Sequence, residues 1–198
     1  MIETFVINLK ERPDRKTHII KELKKCNCDD YTMIEAINGW KENKEDYELS
    51  CSMSKGAMGC YLSHFKSLET LTEEYGVVFE DDIEIMSDDL YKDIKELKEN
   101  LPSDWEVCFL GSTPLYLNKW KDKVGEVEEV NLYCKKVCGV NFGSNYIIKK
   151  SALEKMKKFP IKAPIDTAFR VWNMNCYLAD PPIIKHLPRM ISNTQRPI

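Results

Sequence analysis

The sequence lacks the features that mark several large classes of protein. No apolar run approaches the ~20 residues of a membrane-spanning helix, and there are no internal repeats, low-complexity segments or domain linkers. The net charge of −3 argues against nucleic acid as a main partner, because such a protein must supply cations to the phosphates. The paired C-x-x-C spacing of many zinc sites is also missing. Since a strand-like run follows Met1 almost at once, we expect no signal peptide.

What is present fits an ordinary globular protein. The 198 residues are 43% hydrophobic and 31% charged, which predicts one domain over residues 1–198. Several of the eight cysteines lie in apolar runs such as EVCFLG, where free cysteine behaves as a small hydrophobe. We therefore expect reduced thiols and a cytoplasmic location, with a disulfide framework as the alternative.

The segment GVVFEDDIEI, residues 76–85, is the stretch of the sequence that indicates most about function. Its apolar run is typical of a buried strand and leads directly into Glu80, Asp81 and Asp82. Three neighbouring anions repel one another unless a cation joins them, and a hard divalent cation is the natural partner of carboxylate oxygens. Ligand crevices in open α/β sheets lie at the carboxyl ends of strands. The segment therefore predicts a metal–phosphate site, and a solvated acidic turn is the alternative.

The N-terminus reads as the first unit of a nucleotide-binding α/β fold. Residues 4–9 predict a buried strand, and Pro13 suits the first turn of the helix that follows. Asn8, Arg12 and Arg15 fall at the carboxyl end of this strand. They are candidates for holding a nucleotide, although both arginines would also suit a solvated helix start.

The remaining chain alternates between strand and helix patterns. Residues 54–75 predict a long helix that Gly76 ends, and Ser151 is placed to cap a later helix. Residues 113–131 read as a long polar loop, and residues 132–140 read as an edge strand.

Several of these stretches resemble glycosyltransferase family 25, in the order in which that family has them. The matching pieces are VINLKERPDR, AING, SKGAMGCYLSHFKSLE, GVVFEDDIEI, WEVCFLG, GSNYIIKKSALEKM and PID. The combination of G-x-x-G-C-x-L-S-H with a later E-D-D strand is far more specific than the acidic triplet alone. The chain is short for the family and is more like its small bacterial or viral members.

The resemblance implies an α/β fold of the GT-A, Rossmann-like type, with a mixed, mostly parallel central sheet flanked by helices. It also implies a UDP-sugar donor, a divalent metal (manganese, or magnesium) and inversion at the anomeric carbon. The acceptor would be a glycan or a collagen-like hydroxylysine. By this resemblance the donor-binding residues are Ile7, Asn8, Leu9, Arg12, Arg15, Ala36, Asn38, Lys55, Gly56, Cys60, Ser63 and His64.

Chemistry of this kind needs a metal site and a base. Asp82, with Glu80 and Asp81 nearby, is expected to hold the metal that neutralises the leaving diphosphate, and His186 is a candidate third ligand. Asp166, at the start of a predicted helix, is the candidate base, with a plain helix cap as its alternative role.

Other interpretations stay open from the sequence. A nucleotidyl- or phosphotransferase could use the same carboxylate–metal device, and a sugar- or collagen-binding module could keep the fold without turnover. The segment after Pro181 has no acidic residue but contains Lys185, His186, Arg189 and Arg196. It is predicted to order over the donor diphosphate, with a solvated terminus as the alternative.

Overall fold

The computed structural model describes residues 2–48, 53–111, 127–137, 145–157, 161 and 163–187, apart from the side chains of Asp166 and Arg170. The strands in these ranges are β1 (Glu3–Asn8), β2 (Thr32–Glu35), β3 (Tyr75–Glu80), β4 (Ile83–Ile85), β5 (Val107–Phe109), β6 (Val127–Glu129), β7 (Cys134–Val137), β8 (Tyr146–Lys149), β9 (Cys176–Ala179) and β10 (Ile184–His186). The helices are α1 (Pro13–Lys25), α2 (Lys55–Glu69), α3 (Leu90–Asn100), α4 (Lys150–Met156) and α5 (Ile165–Val171). None of the described helices combines the length and the apolarity that a membrane span needs.

One mixed sheet forms the centre of the molecule, with the strand order β2-β1-β3-β8-β5-β9-β7-β6. β1 lies parallel to β2 and β3, and β5 lies parallel to β9. The pairings β3–β8, β5–β8, β7–β9 and β6–β7 are antiparallel. β4 and β10 form a separate antiparallel ribbon. The predicted α/β class with a mixed sheet is confirmed, and two of the three parallel pairings among the described strands lie in the β2-β1-β3 half.

The sheet is covered by helices on both faces because its inner strands are apolar on both faces. Val6, Val77 and Phe79 face a core that also contains buried side chains of α1 and α3. Phe5 and Val78 face the opposite core, to which α2, α4 and α5 contribute. Successive side chains of a strand point to opposite faces, so a continuous apolar run requires a helical layer on each side. The result is a three-layer α/β/α arrangement.

The helix predicted over residues 54–75 is shorter in the structure. α2 ends at Glu69, and the chain then turns because the carboxylate of Glu3 accepts hydrogen bonds from the backbone N–H groups of Thr72 and Glu73 at 2.8 and 2.9 Å. β3 begins at Tyr75, so Gly76 lies inside the strand and does not end the helix.

Two further expectations about the elements were wrong. The strand at residues 132–140 appears as β7 but is not at the edge, because β6, within the stretch predicted to be a loop, pairs with its outer side. Ser151 is not a cap: α4 already begins at Lys150, and its N-cap Lys149 makes no side-chain capping bond. Pro13 lies in the first turn of α1, as predicted.

Candidate functional site

Three consecutive carboxylates lie where β3 ends and the chain turns into β4. The side chains of Glu80, Asp81 and Asp82 are 26%, 7% and 19% exposed. β1 ends beside β3 in parallel, so the ends of both strands and the start of α1 meet at this point. These exposures do not fit a solvated acidic turn. A cluster of largely buried anions needs compensation from its surroundings.

Asp81 receives that compensation from β1 and α1. Its Oδ2 atom accepts a hydrogen bond from Asn8 Nδ2 at 2.6 Å, and its Oδ1 atom accepts one from Arg15 Nη1 at 2.9 Å. Burial raises the pKa of Asp81, while Arg15 and Asn8 act in the opposite direction. Asp81 therefore anchors the acidic segment to the N-terminal unit through both of its oxygens.

Asp82 is compensated less completely. Its Oδ2 atom lies 3.0 Å from Arg15 Nη1, whereas its buried Oδ1 atom has no hydrogen-bond partner among the described residues. Burial and then the charge of Glu80 raise the pKa of Asp82 to about 7, against the attraction of Arg15. A buried acceptor beside further carboxylates is suited to a divalent cation, which binds oxygen and offsets the repulsion.

The ribbon of β4 and β10 brings His186 to the same place. His186 lies opposite Ile83 in this ribbon, and ligand-type atoms of Glu80, Asp82 and His186 all lie within 4.8 Å of one another. Burial lowers the pKa of His186, which favours the neutral imidazole that binds metals. A Cβ atom on Gly111 would lie 2.0 Å from the carbonyl oxygen of Ile184, so only glycine lets β10 approach so closely.

Asn145, which the sequence analysis did not single out, connects two members of this cluster. Its Oδ1 atom accepts a hydrogen bond from the backbone N–H of Glu80 at 2.7 Å, and its Nδ2 atom lies 3.3 Å from His186 Nε2. Asn145 is 1% exposed. An asparagine directly before a buried strand is the only sequence signal for it, and that signal does not indicate which groups it joins.

α2 forms a second wall of the site. Ser54 caps the helix through Ala57, and Cys60 and His64 lie one turn apart within it. His64 Nδ1 lies 2.9 Å from the hydroxyl of Tyr146, a second residue that the sequence analysis did not single out. Tyr146 is fully buried, and this burial raises its pKa well above the ordinary value.

The AING turn is held against α2 at close range. A Cβ atom on Gly59 would lie 2.5 Å from the backbone nitrogen of Gly39, so both backbones meet where side chains are absent. Ser63 accepts the backbone N–H of Ile37 at 2.8 Å and donates to the Gly59 carbonyl at 2.6 Å. Gly59 and Ser63 thus position the AING turn beside α2, and residues of the turn and of α2 line the same cavity as the acidic segment.

A cavity at this point contains most of the predicted donor-binding residues. Those that line it are Ile7, Leu9, Arg15, Ala36, Asn38, Gly56, Cys60, Ser63 and His64. The acidic residues Glu80, Asp81 and Asp82 line it too, together with Ile37, Gly39 and Trp40, which were not predicted. Ile37 and Gly39 belong to the AING turn and Trp40 follows it directly, so this turn is the sequence signal that could have identified them.

Three predicted donor-binding residues are not among those that line the cavity. Asn8 donates a hydrogen bond to Asp81, and Lys55 donates one to the Glu42 carbonyl at 2.8 Å. Arg12 forms a two-bond ion pair with Asp14, with N–O distances of 2.9 and 2.8 Å. Their roles toward the donor remain predictions.

Two other predictions lie outside the described residues. The backbone of Asp166 is in the first turn of α5, but its side chain is not described. Arg189 and Arg196 belong to residues 188–198, which are not described either. In the described part of that segment, Lys185 lies 4.0 Å from Glu84 across the ribbon.

The chain is similar to procollagen galactosyltransferases and to a protein named as a glycosyltransferase 25 family member. Over 144 residues the chain is 30% identical to procollagen galactosyltransferase 1-A of Xenopus laevis, covering 64% of this chain and 23% of that protein. Over 129 residues it is 26% identical to the human protein named inactive glycosyltransferase 25 family member 3, covering 55% of this chain and 21% of that one. The chain therefore matches less than a quarter of the length of these relatives.

A solved structure and a family model extend the comparison. The crystal structure of A197 from STIV superposes with a TM-score of 0.50 at 16% identity, covering 94% of this chain and 86% of that one, which indicates a shared fold. The model of glycosyltransferase family 25 (LPS biosynthesis protein) matches residues 1–169. This range contains β1, α2 and the acidic segment, and the chain therefore belongs to glycosyltransferase family 25.

Proposed function

We propose that the protein is an inverting, metal-dependent hexosyltransferase that moves galactose or glucose from a UDP-sugar to a hydroxyl group of a glycan or a collagen-like hydroxylysine. The observation that carries the proposal is the convergence of Glu80, Asp82 and His186, whose ligand atoms lie within 4.8 Å of one another and of which the two carboxylates line the cavity. Two carboxylates and a neutral imidazole suit Mn²⁺, and Mg²⁺ less well because of the nitrogen ligand. The name of the Xenopus relative supports galactose transfer to procollagen.

The residues of the cluster fit such a cation. The buried Asp82 Oδ1 atom has no hydrogen-bond partner within the described ranges, and Glu80 and His186 stand beside it. A bound cation would neutralise the charge that builds on the leaving diphosphate. Asp81 takes no direct part in this arrangement, since Asn8 and Arg15 hold both of its oxygens.

The rest of the cavity is proposed to hold the donor. The AING turn and α2 present Asn38, Gly56 and Ser63 to it, and Trp40 supplies an aromatic surface. Glycine at the cavity wall lets a ligand approach the backbone closely. Arg15 stabilises the carboxylates, and we propose this role for it in place of a direct phosphate contact.

Inversion requires a base that takes the proton of the acceptor hydroxyl, and we propose Asp166 for this role. Asp166→Asn should lower transfer by about 10²–10⁴-fold, the usual contribution of a positioned base. Donor and metal binding should persist. Asp89→Asn is the matched control, because Asp89 caps α3 through the Lys92 N–H and asparagine caps equally well. Near-normal transfer by the Asp166 variant would leave Asp166 a structural residue.

A binding module without turnover is the second candidate, and the human relative named as inactive favours it. The test is incubation with UDP-galactose or UDP-glucose and Mn²⁺, with and without a glycan or hydroxylysine-peptide acceptor. The proposal predicts metal-dependent release of UDP that a chelator abolishes. Release of UMP or pyrophosphate would indicate a nucleotidyl- or phosphotransferase. Binding of the UDP-sugar without any release would indicate the module.

A further inference from the structure

A second set of metal-ligand atoms also includes Glu80. Cys60 and His64 are four residues apart on α2 and therefore lie on one face of the helix. Cys60 Sγ is 3.4 Å from Glu80 Oε1, and His64 Nε2 is also 3.4 Å from Glu80 Oε1. All three ligand atoms lie within 4.8 Å of one another.

The His64–Glu80 separation is long for a hydrogen bond and the Cys60–Glu80 separation is ordinary for a thiol donor, and both suit a tetrahedral zinc ion. Zinc bonds of about 2.3 Å to sulfur and about 2.0–2.2 Å to nitrogen or oxygen give ligand–ligand distances of about 3.3–3.6 Å in a tetrahedron. Both measured distances to Glu80 fall in this range. Little movement is needed for Cys60, His64 and Glu80 to share one ion.

The surroundings of His64 prepare it as a ligand. Its ring is fully buried, and Nδ1 lies 2.9 Å from the hydroxyl of the fully buried Tyr146. If Nδ1–H donates to the Tyr146 oxygen, Nε2 keeps its lone pair toward Glu80. Metal-binding histidines usually donate their other N–H in this way, which fixes the tautomer and the ring orientation.

We propose that Cys60, His64 and Glu80 form a binding site for Zn²⁺. Cys60 gives up its thiol proton to solvent on binding, and its thiolate, the imidazole and the carboxylate occupy three positions of the ion. The fourth position faces the cavity, which all three residues line. The sulfur ligand distinguishes this site from the cluster of Glu80, Asp82 and His186, because hard cations such as Mg²⁺ and Mn²⁺ prefer oxygen to thiolate.

Glu80 belongs to both clusters. Two divalent cations that both bind this one carboxylate would repel each other at short range. Zn²⁺ should therefore compete with the hard cation and inhibit transfer. This consequence rests on the proposed function, whereas zinc binding itself does not.

The test uses Co²⁺ as a spectroscopic substitute for Zn²⁺ on the full, metal-free chain. A thiolate-to-cobalt charge-transfer band should appear on titration and disappear when Zn²⁺ displaces the cobalt. Cys60→Ser should lose the band, and Cys28→Ser should keep it, because Cys28 is buried on the opposite face of the sheet. Circular dichroism checks that each variant is folded, and Cys60→Ala serves if the serine variant is not.

Tyr146→Phe tests the support of His64. It should weaken zinc binding by about 10–100-fold, the usual effect of removing a group that holds a metal ligand, while keeping the cobalt band at saturation. Absence of the band in the unchanged protein, or a band that survives in Cys60→Ser, would overturn the site.

His186→Gln separates this inference from the proposed function. It should keep the cobalt–thiolate band, because His186 is not a ligand of the zinc site, while losing Mn²⁺-dependent transfer. A band without any transfer in the unchanged protein would reject the proposed function and leave the zinc site standing. Transfer that Zn²⁺ does not inhibit, in a protein that shows the band, would reject the sharing of Glu80.

Discussion

Two clusters, one in each half of the sheet, join a single cation to two carboxylates. In the parallel half, Arg15 Nη1 lies 2.9 Å from Asp81 and 3.0 Å from Asp82. In the antiparallel half, Lys135 Nζ lies 3.0 Å from Glu129 and 2.8 Å from Asp180. The distances are nearly equal, so contact geometry does not distinguish the clusters.

Exposure distinguishes them. The first cluster has side-chain exposures of 8%, 7% and 19% for Arg15, Asp81 and Asp82, whereas Glu129 and Asp180 are 72% and 44% exposed. Water screens the exposed pairs and can replace any partner that is lost. A buried cluster must be neutralised by the protein or by a ligand. One cation with two carboxylates thus forms a surface contact around Lys135, whereas the same combination around Arg15 forms the basis of a site.

The largest effect is expected from Asp82→Asn, which weakens the proposed metal site without changing its volume. Metal-dependent transfer should fall by more than about 100-fold, since loss of groups that merely support a metal ligand already reduces affinity or activity by 10–100-fold. UDP release with and without Mn²⁺ measures it. Asp180→Asn, in the exposed cluster, should leave transfer unchanged. Full activity of the Asp82 variant, or of the unchanged protein in chelator, would refute the metal assignment.

Arg15→Met should produce the next effect, on stability. Removing the cation leaves Asp81 and Asp82 buried without it, and breaking a buried ion pair in this way destabilises a protein by about 3–5 kcal/mol. Urea unfolding in chelator measures the loss, and saturating Mn²⁺ should restore part of it. A loss below about 1 kcal/mol, the range of exposed pairs, would show that burial does not separate the two clusters.

Glu22→Gln tests an intermediate case. The buried Glu22 accepts the Ile85 N–H at 3.2 Å and pairs with Lys25, which is 56% exposed. Burial raises the pKa of Glu22, but Lys25 and the Ile85 N–H outweigh it and lower that pKa on balance. The charged form therefore contributes stability above pH 4.5, the ordinary pKa, and loses it as the pH falls further.

The Glu22 variant should accordingly be less stable by about 1 kcal/mol at pH 7, and this difference should shrink toward pH 3. Thermal unfolding at both pH values measures it. An equal difference at pH 3 and pH 7 would mean that the charge of Glu22 contributes nothing.

Lys135→Met should have the smallest effect, about 0.5 kcal/mol or less, because exposed ion pairs contribute little. The measurement is the urea midpoint beside that of Arg15→Met, with the same replacement side chain in both. A loss comparable to that of the Arg15 variant would remove the contrast between the clusters.

Local patterns predicted much of the fold and part of the site. The apolar run before Glu80 is continuous, and this predicts both a buried strand and its place between two helical layers. Because α1 follows β1 after a short turn, the sequence also predicts that the start of α1 lies at the carboxyl end of β1. What local patterns could not supply is the partner of each polar group. The sequence predicts a nucleotide contact for Arg15, but it gives no indication of the ion pair with Asp81, 66 residues away in the chain.

The contribution of Asn145 and Tyr146 could not be predicted for a similar reason. A buried amide and a buried hydroxyl look like ordinary strand residues until the strand pairing brings β8 next to β3. Only then do Asn145 and Tyr146 reach His186 and His64. The register between distant strands decides these contacts, and local sequence patterns do not indicate that register.

The ribbon of β4 and β10 ties the site to the order in which the chain folds. Ile83 and His186 are about 100 residues apart, and closing so long a loop is entropically unfavourable until the intervening elements have packed. The pairing of β1 with β3, which places Glu80 and Asp82, spans about 70 residues of chain, whereas the pairing that places His186 spans about 100. We therefore expect tight binding of a divalent cation to Glu80, Asp82 and His186 only after this ribbon has formed, so that cation binding during refolding reports the closure of the ribbon.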